Sequence, residues 1–390
     1  MNVSHWFGVI LLAAFFLAGT ACQTAAIATN QVPGVSEDEV LFGQSAVLSG
    51  PSQYLGTSMR LGIETAFHEA NQKGGVHGRY LSLESMDDSY ETEYAVHATT
   101  HLIEKTQVFA LIGAVGTPTS WGALPIAQAD GVPFIAPFTG AEFLRDPSLN
   151  NVINLRASYY QESERIIDHL TSEDGIIRIG VFYQNDSFGA AGLQGVRRAL
   201  EQRGMEIFDT WQYERNAGGV DDAASQIIAA KPDAVVMFGT PEAVANLVKL
   251  VRKEADPRFA TVSFAGGKTL PNKLGENRKD IYVTQVVPFY DDIQLPVVAS
   301  YNAALRAYNP SASPDFVSLE GYLAARLAIS LLDACGPDLT RGCFIEPALS
   351  HNEIDLDGLI LEYGVGDNQG LDQVYLTVLD ENGEYQQIGD

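Results

Sequence analysis

Three turns in the first half of the chain carry residue types that bind small anions. Each follows an apolar run typical of a buried strand, and N–H groups and hydroxyls at a helix N-terminus form a ready site for a carboxylate. Because ligands of open α/β sheets bind beyond the carboxyl ends of the strands, three such turns together indicate a binding site more than three separate helix caps. The turns are Ser49-Gly50-Pro51, Gly113-Ala-Val-Gly116-Thr117-Pro118-Thr119-Ser120 and Pro137-Phe138-Thr139-Gly140.

Aromatic side chains are the second chemical signal. Seven of them fall at strand ends or in loops between the two halves of the chain, outside the periodic segments. Core packing is the ordinary explanation for such residues, but around one cleft they would suit an apolar or aromatic ligand body whose polar end is held by the turns. They are Tyr54, Phe138, Tyr159, Tyr160, Phe188, Phe238 and Phe289.

Other chemistries have little support in the sequence. The chain lacks a GxxxxGK[ST] phosphate-binding loop and a GxSxG nucleophile elbow, and the run Gly189-Ala-Ala-Gly192-Leu-Gln-Gly195 has the wrong spacing for a dinucleotide fingerprint. Glu93, His97 and His101 share one helical face, but such a polar stripe is usually solvated and not a metal site. We therefore expect no catalytic residue, no metal and no cofactor; a hydrolase on the same scaffold is the least favoured alternative.

The elements that would position these residues alternate between short β-rich runs and amphipathic helical stretches. This pattern predicts an α/β fold with doubly wound parallel sheets, and it restarts after Arg156, which indicates two lobes of similar size. The predicted strands are Val40–Leu48, Leu81–Ser85, Val108–Ile112, Pro133–Ala136, Arg178–Tyr183, Glu206–Tyr213, Ala234–Phe238, Thr261–Ala265, a run from Ile281 to Val287, and segments near Leu359–Tyr363 and Val374–Leu379. The predicted helices are Ser58–Asn71, Glu91–Lys105, Ser120–Asp130, Glu162–Ser172, Ala190–Arg203, Asp221–Ala230, Glu242–Glu254, Pro296–Tyr308 and Val317–Ala334.

The composition is that of a folded and strongly acidic protein. Of its 390 residues 46% are apolar, and 24 Lys and Arg stand against 49 Asp and Glu, for a net charge of −25. Polyanions are bound through Lys and Arg, so this charge excludes nucleic acid and an anionic membrane surface as partners. The length suggests two domains, each able to bury its own core.

The N-terminus has the pattern of an export signal. Residues 1–22 contain an apolar run, Phe7 to Gly19, too short to span a bilayer, and Gly19-Thr20-Ala21-Cys22 resembles a bacterial lipobox that would place a lipid on Cys22. A cut after Ala26-Ile27-Ala28 is the alternative and would release a product without lipid. Residues 23–37 are predicted to be a flexible tether. We expect the protein in the periplasm or on the outer face of the cytoplasmic membrane, with the membrane contacted only through the lipid anchor.

The two remaining cysteines, Cys335 and Cys343, flank a segment rich in Gly and Pro that suits a turn between helices. Export makes a disulfide between them plausible, and two unpaired thiols are the alternative. Their spacing resembles neither a zinc site nor a redox motif.

Five segments together resemble one known family, the type I periplasmic solute-binding proteins of the leucine/isoleucine/valine-binding class. The segments are FGQSAVLSGPSQYLG from Phe42, NQKGGVHGR from Asn71, ALIGAVGTPTS from Ala110, GVPFIAPFTGAEFLR from Gly131 and FVSLEGYLAAR from Phe316. The resemblance covers residues 38 to 390. It implies two lobes joined by three crossover strands, with a ligand enclosed by hinge closure. The first lobe would hold residues 38–156 and about 286–358, and the second 157–285 and about 359–390.

The resemblance also implies a set of ligand-binding residues. The turn Ala265-Gly266-Gly267-Lys268 corresponds by position to a ligand-binding turn of the family. It lacks the acidic residue with which amino-acid-binding members often pair the ligand's ammonium. Either Glu242 or Asp186 could replace it, and a carboxylate or amide without an amine would fit as well. The implied contacts are Tyr54, Leu55, Gly116, Thr117, Phe138, Thr139, Gly140, Tyr160, Phe188, Gly239, Thr240, Gly266 and Gly267.

The function that follows from the resemblance is solute capture for an ABC-type uptake system. The ligand would be a small amphipathic solute, such as an amino acid, an amide or an aromatic carboxylate, and the partner would be a membrane permease. The protein is expected to be a monomer and not an enzyme. A ligand-binding input for a membrane sensor is the alternative, since the sequence does not separate the two roles.

Overall fold

The computed structural model describes residues 32–217, 219–350 and 352–389, which build two lobes on two separate sheets. The first sheet is made of β1 (Glu39–Ala46), β2 (Tyr80–Asp87), β3 (Ala110–Ile112), β4 (Phe134–Ile135) and β5 (Val152–Ile153). These strands are parallel and lie in the order β2-β1-β3-β4-β5. The carboxyl ends of β1, β3 and β4, where the three turns begin, are therefore neighbours.

The second sheet has seven strands: six run in one direction, and one runs antiparallel to its two neighbours. They lie in the order β14-β13-β10-β9-β8-β6-β7, and a separate two-stranded hairpin is formed by β11 and β12. The strands are β6 (Ile179–Gln184), β7 (Thr210–Tyr213), β8 (Ala234–Phe238), β9 (Arg258–Thr261), β10 (Ile281–Gln285), β11 (Asn352–Leu356), β12 (Leu359–Tyr363), β13 (Tyr375–Leu379) and β14 (Tyr385–Ile388).

Helices cover the sheets. They are α1 (Gln53–Gln72), α2 (Thr92–Glu104), α3 (Thr117–Ala129), α4 (Tyr159–Asp168), α5 (Ser187–Glu201), α6 (Asp221–Ala230), α7 (Pro241–Val251), α8 (Thr269–Leu274), α9 (Pro296–Tyr308), α10 (Phe316–Cys335) and α11 (Arg341–Leu349). The two longest, α1 and α10, pack against each other at glycines: a Cβ on Gly62 would lie 2.0 Å from the carbonyl oxygen of Ser318. This close approach leaves no room for a larger residue and fixes the position of α10 in the first lobe.

The chain passes between the lobes at three places, residues 154–158, 286–295 and 364–374. One apolar residue from each crossing, Ala157, Val286 and Val374, packs in a small buried cluster. The first and third crossings also pair, since Asn154 N–H donates to the carbonyl of Asn368 at 2.7 Å. The predicted α/β class with two lobes and three crossings is confirmed.

Three predicted elements have wrong bounds, and the first two bear on the site. The strand predicted at Thr261–Ala265 ends at Thr261, and Ser263–Ala265 is a 3-10 turn because the Ser263 N–H bonds to the carboxylate of Glu162 and not to a neighbouring strand. The helix predicted to begin at Ser58 begins at Gln53, which places Tyr54 on its first turn. The strand predicted from Glu206 begins only at Thr210.

Two features lie at the outer ends of the first lobe. Cys335 and Cys343 form a disulfide between the end of α10 and α11, with their Cα atoms 5.4 Å apart. Part of the stretch predicted as a tether packs on the first sheet, where the carbonyl of Gly34 accepts from Leu41 N–H at 2.8 Å. Cys22, the signal segment and residues 23–31 lie outside the described residues.

Candidate functional site

The turns after β3 and β4 bring two predicted hydroxyls into contact. Thr117 Oγ1 and Thr139 Oγ1 are 2.6 Å apart, and both residues are fully buried. Thr117 is the first residue of α3, and the preceding Gly116 N–H donates to the carbonyl of Phe138 at 3.3 Å. The pair lies at a helix N-terminus inside the protein, which is a favourable place for a carboxylate.

Gly116 shapes this corner because only glycine fits there. Its φ is +104°, and a Cβ would lie 2.4 Å from the ring of Tyr90. The missing side chain lets the buried Tyr90 ring lie directly against the turn.

Six buried aromatic rings, which we call the seam cluster, lie along the boundary between the two lobes. Phe264 from the second lobe reaches Phe138 and Tyr90 of the first, with centroid distances of 5.5 and 6.1 Å, and it lies 4.8 Å from Phe188. Rings of this kind offer a large apolar surface to a ligand at low entropic cost. The members are Tyr90, Phe138, Tyr159, Phe188, Phe238 and Phe264.

Arg156, in the first crossing, places one buried positive charge beside the seam cluster. Its guanidinium lies 4.6 Å from the centroid of Phe138, its Nη2 donates to Ser263 Oγ, and its Nε faces Glu320 Oε1 at 3.3 Å. Burial alone would lower the pKa of Arg156, but the carboxylates of Glu320 and Glu162 raise it above its ordinary value. The guanidinium is therefore charged at every working pH.

Glu162 on α4 fixes the position of Ser263, whose hydroxyl accepts from the Arg156 guanidinium. Its carboxylate accepts from Ser263 N–H at 2.7 Å, from Ser263 Oγ at 3.1 Å and from Thr284 Oγ1 at 2.5 Å. Three donors occupy the two oxygens of this buried side chain, so Glu162 acts as a fixed acceptor that holds the 3-10 turn carrying Phe264.

Several buried polar atoms around the seam cluster have no hydrogen-bond partner among the described residues. They include Nε and Nη1 of Arg156, Gln285 Nε2 and Ser120 Oγ. Burial raises the pKa of the Tyr159 phenol, and the nearby Thr139 and Thr117 hydroxyls oppose this rise. An unsatisfied buried polar group costs about 1–3 kcal/mol, so donors collected in one place point to a polar ligand that would satisfy them.

Several predicted contact residues lie at the edges of this seam. Tyr54 Oη donates to Asp315 Oδ2 at 2.6 Å and accepts from Lys268 N–H at 3.1 Å, so it bonds across the lobes beside Gly267. Gly266 packs near the amide of Gln285.

The other predicted residues are more dispersed. Thr240 N–H donates to Tyr213 Oη at 3.0 Å, with Gly239 beside the same phenol, and Tyr159 N–H donates to the Gly140 carbonyl at 2.7 Å. Leu55 lies in the core of the first lobe. Tyr160 faces a cavity of about 760 Å³ on the hinge side, under the guanidinium of Arg198, and not the seam.

At the edge remote from the crossings, the lobes are joined by charged groups. Arg215 of the second lobe contacts Glu91 of the first at 3.0 Å and Asp186 of its own lobe at 3.3 Å. The neighbouring Asn216 amide donates to Glu91 Oε1 at 2.8 Å. These contacts hold the lobes together across the mouth of the cleft.

The two carboxylates proposed to pair with a ligand ammonium are both engaged elsewhere. Asp186 accepts from the Gln184 amide at 2.6 Å and from Phe188 N–H at 2.9 Å, besides its contact with Arg215. Glu242 pairs with Lys273 on the second lobe, and this partner lowers its pKa. Neither carboxylate is left to hold a buried ammonium.

One face of α2 carries a glutamate and two histidines. Glu93, His97 and His101 are exposed, and no group of three metal-binding side chains suited to an ion occurs in the part of the chain that the structure describes.

Five residues of the seam are not predicted from the sequence: Tyr90, Arg156, Glu162, Phe264 and Glu320. One signal was available, because Glu320 is an acidic residue in the mostly apolar first half of the helix Phe316–Cys335. Phe264 was hidden by the strand predicted over it, and nothing in the local pattern distinguishes Arg156 from a surface arginine.

Comparisons with known proteins agree with this architecture. A family model described as periplasmic binding protein matches residues 39–384. The crystal structure of a possible leucine/isoleucine/valine-binding protein from Rhodopirellula baltica SH 1 is 34% identical, with a TM-score of 0.85, over 93% of this chain and 98% of that chain. Leu/Ile/Val-binding protein homolog 7 of Brucella abortus (strain 2308) is 22% identical over 362 residues, 88% of each chain.

A more distant structure shares the fold. The solute-binding protein of an ABC transporter from R. palustris, in complex with benzoate, is 19% identical, with a TM-score of 0.80, over 90% of this chain and 96% of that chain. Across the described residues, none of the helices has the length and apolarity needed to span a bilayer. The chain therefore belongs to the periplasmic binding protein family and has the two-lobed fold of its leucine/isoleucine/valine-binding members.

Proposed function

We propose that this protein captures a small carboxylate with an apolar or aromatic body between its lobes. It would do so outside the cytoplasmic membrane and deliver the solute to the permease of an ABC-type uptake system. The observation that carries the proposal is the buried Thr117–Thr139 hydroxyl pair, in the same seam as Arg156, whose Nη1 has no partner among the described residues. Hydroxyls at a helix N-terminus and a guanidinium supply charge-assisted donors for a carboxylate, and the seam cluster supplies the apolar surface.

The engaged carboxylates support a ligand without an amino group. A buried ammonium needs an anionic partner, and the turn at Gly266 and Gly267 provides Lys268 instead. Glu162 already accepts three hydrogen bonds. Glu320 is paired with Arg156. An α-amino acid would therefore bring an uncompensated positive charge into the seam, because none of these carboxylates is free to pair with its ammonium. The benzoate held by the R. palustris protein is a ligand of the proposed type, a carboxylate on a ring without an amine.

The proposal is tested by a thermal-shift screen of aromatic and aliphatic carboxylates, their amides and the corresponding amino acids. A ligand that binds only the folded protein adds about 2.7 kcal/mol to the free energy of unfolding at one hundred times its Kd. The melting temperature rises as a result. We expect carboxylates with an apolar body to give the largest shifts. A screen in which no member of these classes shifts the melting temperature would contradict solute capture.

Delivery and location need separate tests. Replacing Cys22 by Ala should move the exported protein from the membrane fraction to the soluble fraction if Cys22 carries the lipid. Uptake of the captured solute by whole cells should be lost when the gene is deleted and should return with the intact gene.

A further inference from the structure

The carboxylate of Glu320 depends on a single cation. Its side chain is almost fully buried, and Arg156 Nε at 3.3 Å is its ion-pair partner. It accepts no hydrogen bond from the residues that the structure describes. Glu162, by contrast, has three donors of its own and needs no further cation.

The other charged groups near Glu320 do little to stabilise its negative charge. Arg145 is the second cation nearby, but its donors are engaged by Gln369 and by the carbonyls of Ala141 and Arg156. On two helices packed against α10, α1 and α9, the titratable groups Glu69 and Tyr301 have other partners: Glu69 accepts from Tyr322 Oη at 2.6 Å, and Tyr301 Oη lies 2.7 Å from Ser318 Oγ.

The titration of Glu320 reflects this isolation. Burial raises its pKa to about 7; the charge of Arg156 lowers it, the charge of Glu162 raises it, and Arg145 lowers it less than Arg156 does. At neutral pH, then, Glu320 is close to the balance point between its charged and neutral forms, and a change in the charge at Arg156 decides which form is present.

An anionic ligand would bring a second carboxylate to this guanidinium. Two carboxylates that share one buried cation repel each other, and the state of lower free energy has one of them protonated. We infer that capture of a carboxylate beside Arg156 is accompanied by protonation of Glu320, so that the solution supplies one proton for each ligand bound. This inference rests on the proposed function. The proton comes from the buffer and is returned when the ligand leaves.

The inference is tested by titration calorimetry at pH 8, with 3-phenylpropionate as the probe and its uncharged amide as the comparison. Binding of the carboxylate is measured in phosphate and in Tris, whose ionisation enthalpies differ, so that proton uptake appears as a difference in observed enthalpy. We expect uptake of close to one proton for the carboxylate and none for the amide. The affinity for the carboxylate should fall about tenfold for each pH unit above 7, because binding is linked to one proton.

Two variants identify the group that takes up the proton. Glu320→Gln should abolish the enthalpy difference and the pH dependence, whereas Asp88→Asn, which removes another buried carboxyl with a raised pKa, should keep both. The comparison of carboxylate and amide in the unchanged protein gives the answer even if Glu320→Gln does not fold. Equal enthalpies in the two buffers would overturn the inference and leave carboxylate capture standing. No binding of either probe would overturn both.

Discussion

The buried hydroxyls of Thr117 and Thr139 are proposed to bind the ligand carboxylate, and a single substitution tests this. Replacing Thr139 by Val keeps the shape of the side chain and removes one donor, so a bound carboxylate should lose about 1–3 kcal/mol of affinity. The measurement is the Kd by titration calorimetry. Thr210→Val on the exposed face of β7 is the control and should leave the Kd unchanged. An unchanged Kd in Thr139→Val would remove this hydroxyl from the site.

Asp88 provides a prediction about the stability of the ligand-free protein. Its carboxyl is buried and bonds to Ser45 Oγ at 2.8 Å, and burial raises its pKa to about 7. Between about pH 4 and 7 the folded state then binds more protons than the unfolded state, so the free energy of unfolding falls as pH rises through this window. Asp88→Asn should reduce that fall by an amount on the order of a few kcal/mol.

The measurement for Asp88 is urea unfolding at pH 5 and at pH 8. Glu320 acts in the same direction, so the variant should retain part of the pH dependence and not lose all of it. The same pH dependence in Asp88→Asn and the unchanged protein would contradict the assignment.

At the residue scale, the sequence predicts the parts of the site that follow turn chemistry. Thr117, Phe138 and Thr139 lie together because they follow neighbouring strands at the same edge of the first sheet, and Phe188, after β6 of the second sheet, reaches them through Phe264. Arg156 could not be predicted in this way, because its role depends on Glu320, distant in sequence, and on Ser263 in the other lobe.

Among the elements, the turn that begins α3 gives the sharpest prediction. Gly116→Ala should destabilise the protein through its positive φ and through contact with the Tyr90 ring, whereas Gly74→Ala, with a φ of +97° and open space around it, bears only the backbone cost of about 1–2 kcal/mol. Urea unfolding of both variants measures the difference. Equal losses of stability would show that Tyr90 yields freely and that Gly116 does not fix the corner.

The sequence predicts the central helices and strands well because their periodicity reflects burial on one or two faces. Helix α6, strand β8 and helix α9 begin and end at the predicted residues. The wrong strand at Thr261–Ala265 is apolar enough to look like a continuation of β9. A tertiary bond from Ser263 to Glu162 ends the strand there and turns Phe264 into the seam.

At the scale of the molecule, the closed lobes depend on contacts across the mouth of the cleft. Arg215→Ala removes the contacts with Glu91 and Asp186, so ligand affinity should fall roughly five- to tenfold as closure is weakened, which corresponds to about 1–1.4 kcal/mol. Solution scattering of the ligand-saturated variant should give a larger radius of gyration. Arg203→Ala, whose partners Glu164 and Asp168 lie in its own lobe, is the matched control. Equal affinities in the two variants would contradict a role for Arg215 in closure.

The net charge of −25 is a property of the surface and says little about the ligand. The turn residues named from the sequence are neutral. The sequence does not reveal that three charged side chains, Arg156, Glu162 and Glu320, lie buried in one network with the half-buried Arg145 beside them, because their pairing joins distant parts of the chain. Such networks come from the assembled fold and not from local pattern.

The seam between the lobes recognises a carboxylate and rejects an amine. This selectivity is tested most directly by the Kd values, from calorimetry, of two acids that share one skeleton, 4-methylpentanoate and leucine. The amine-free acid should bind at least tenfold more tightly, because Asp186 and Glu242 are engaged by other groups and Glu320 is paired with Arg156, or protonated once a carboxylate binds, so that none of them is left for an ammonium. Tighter binding of leucine would contradict it.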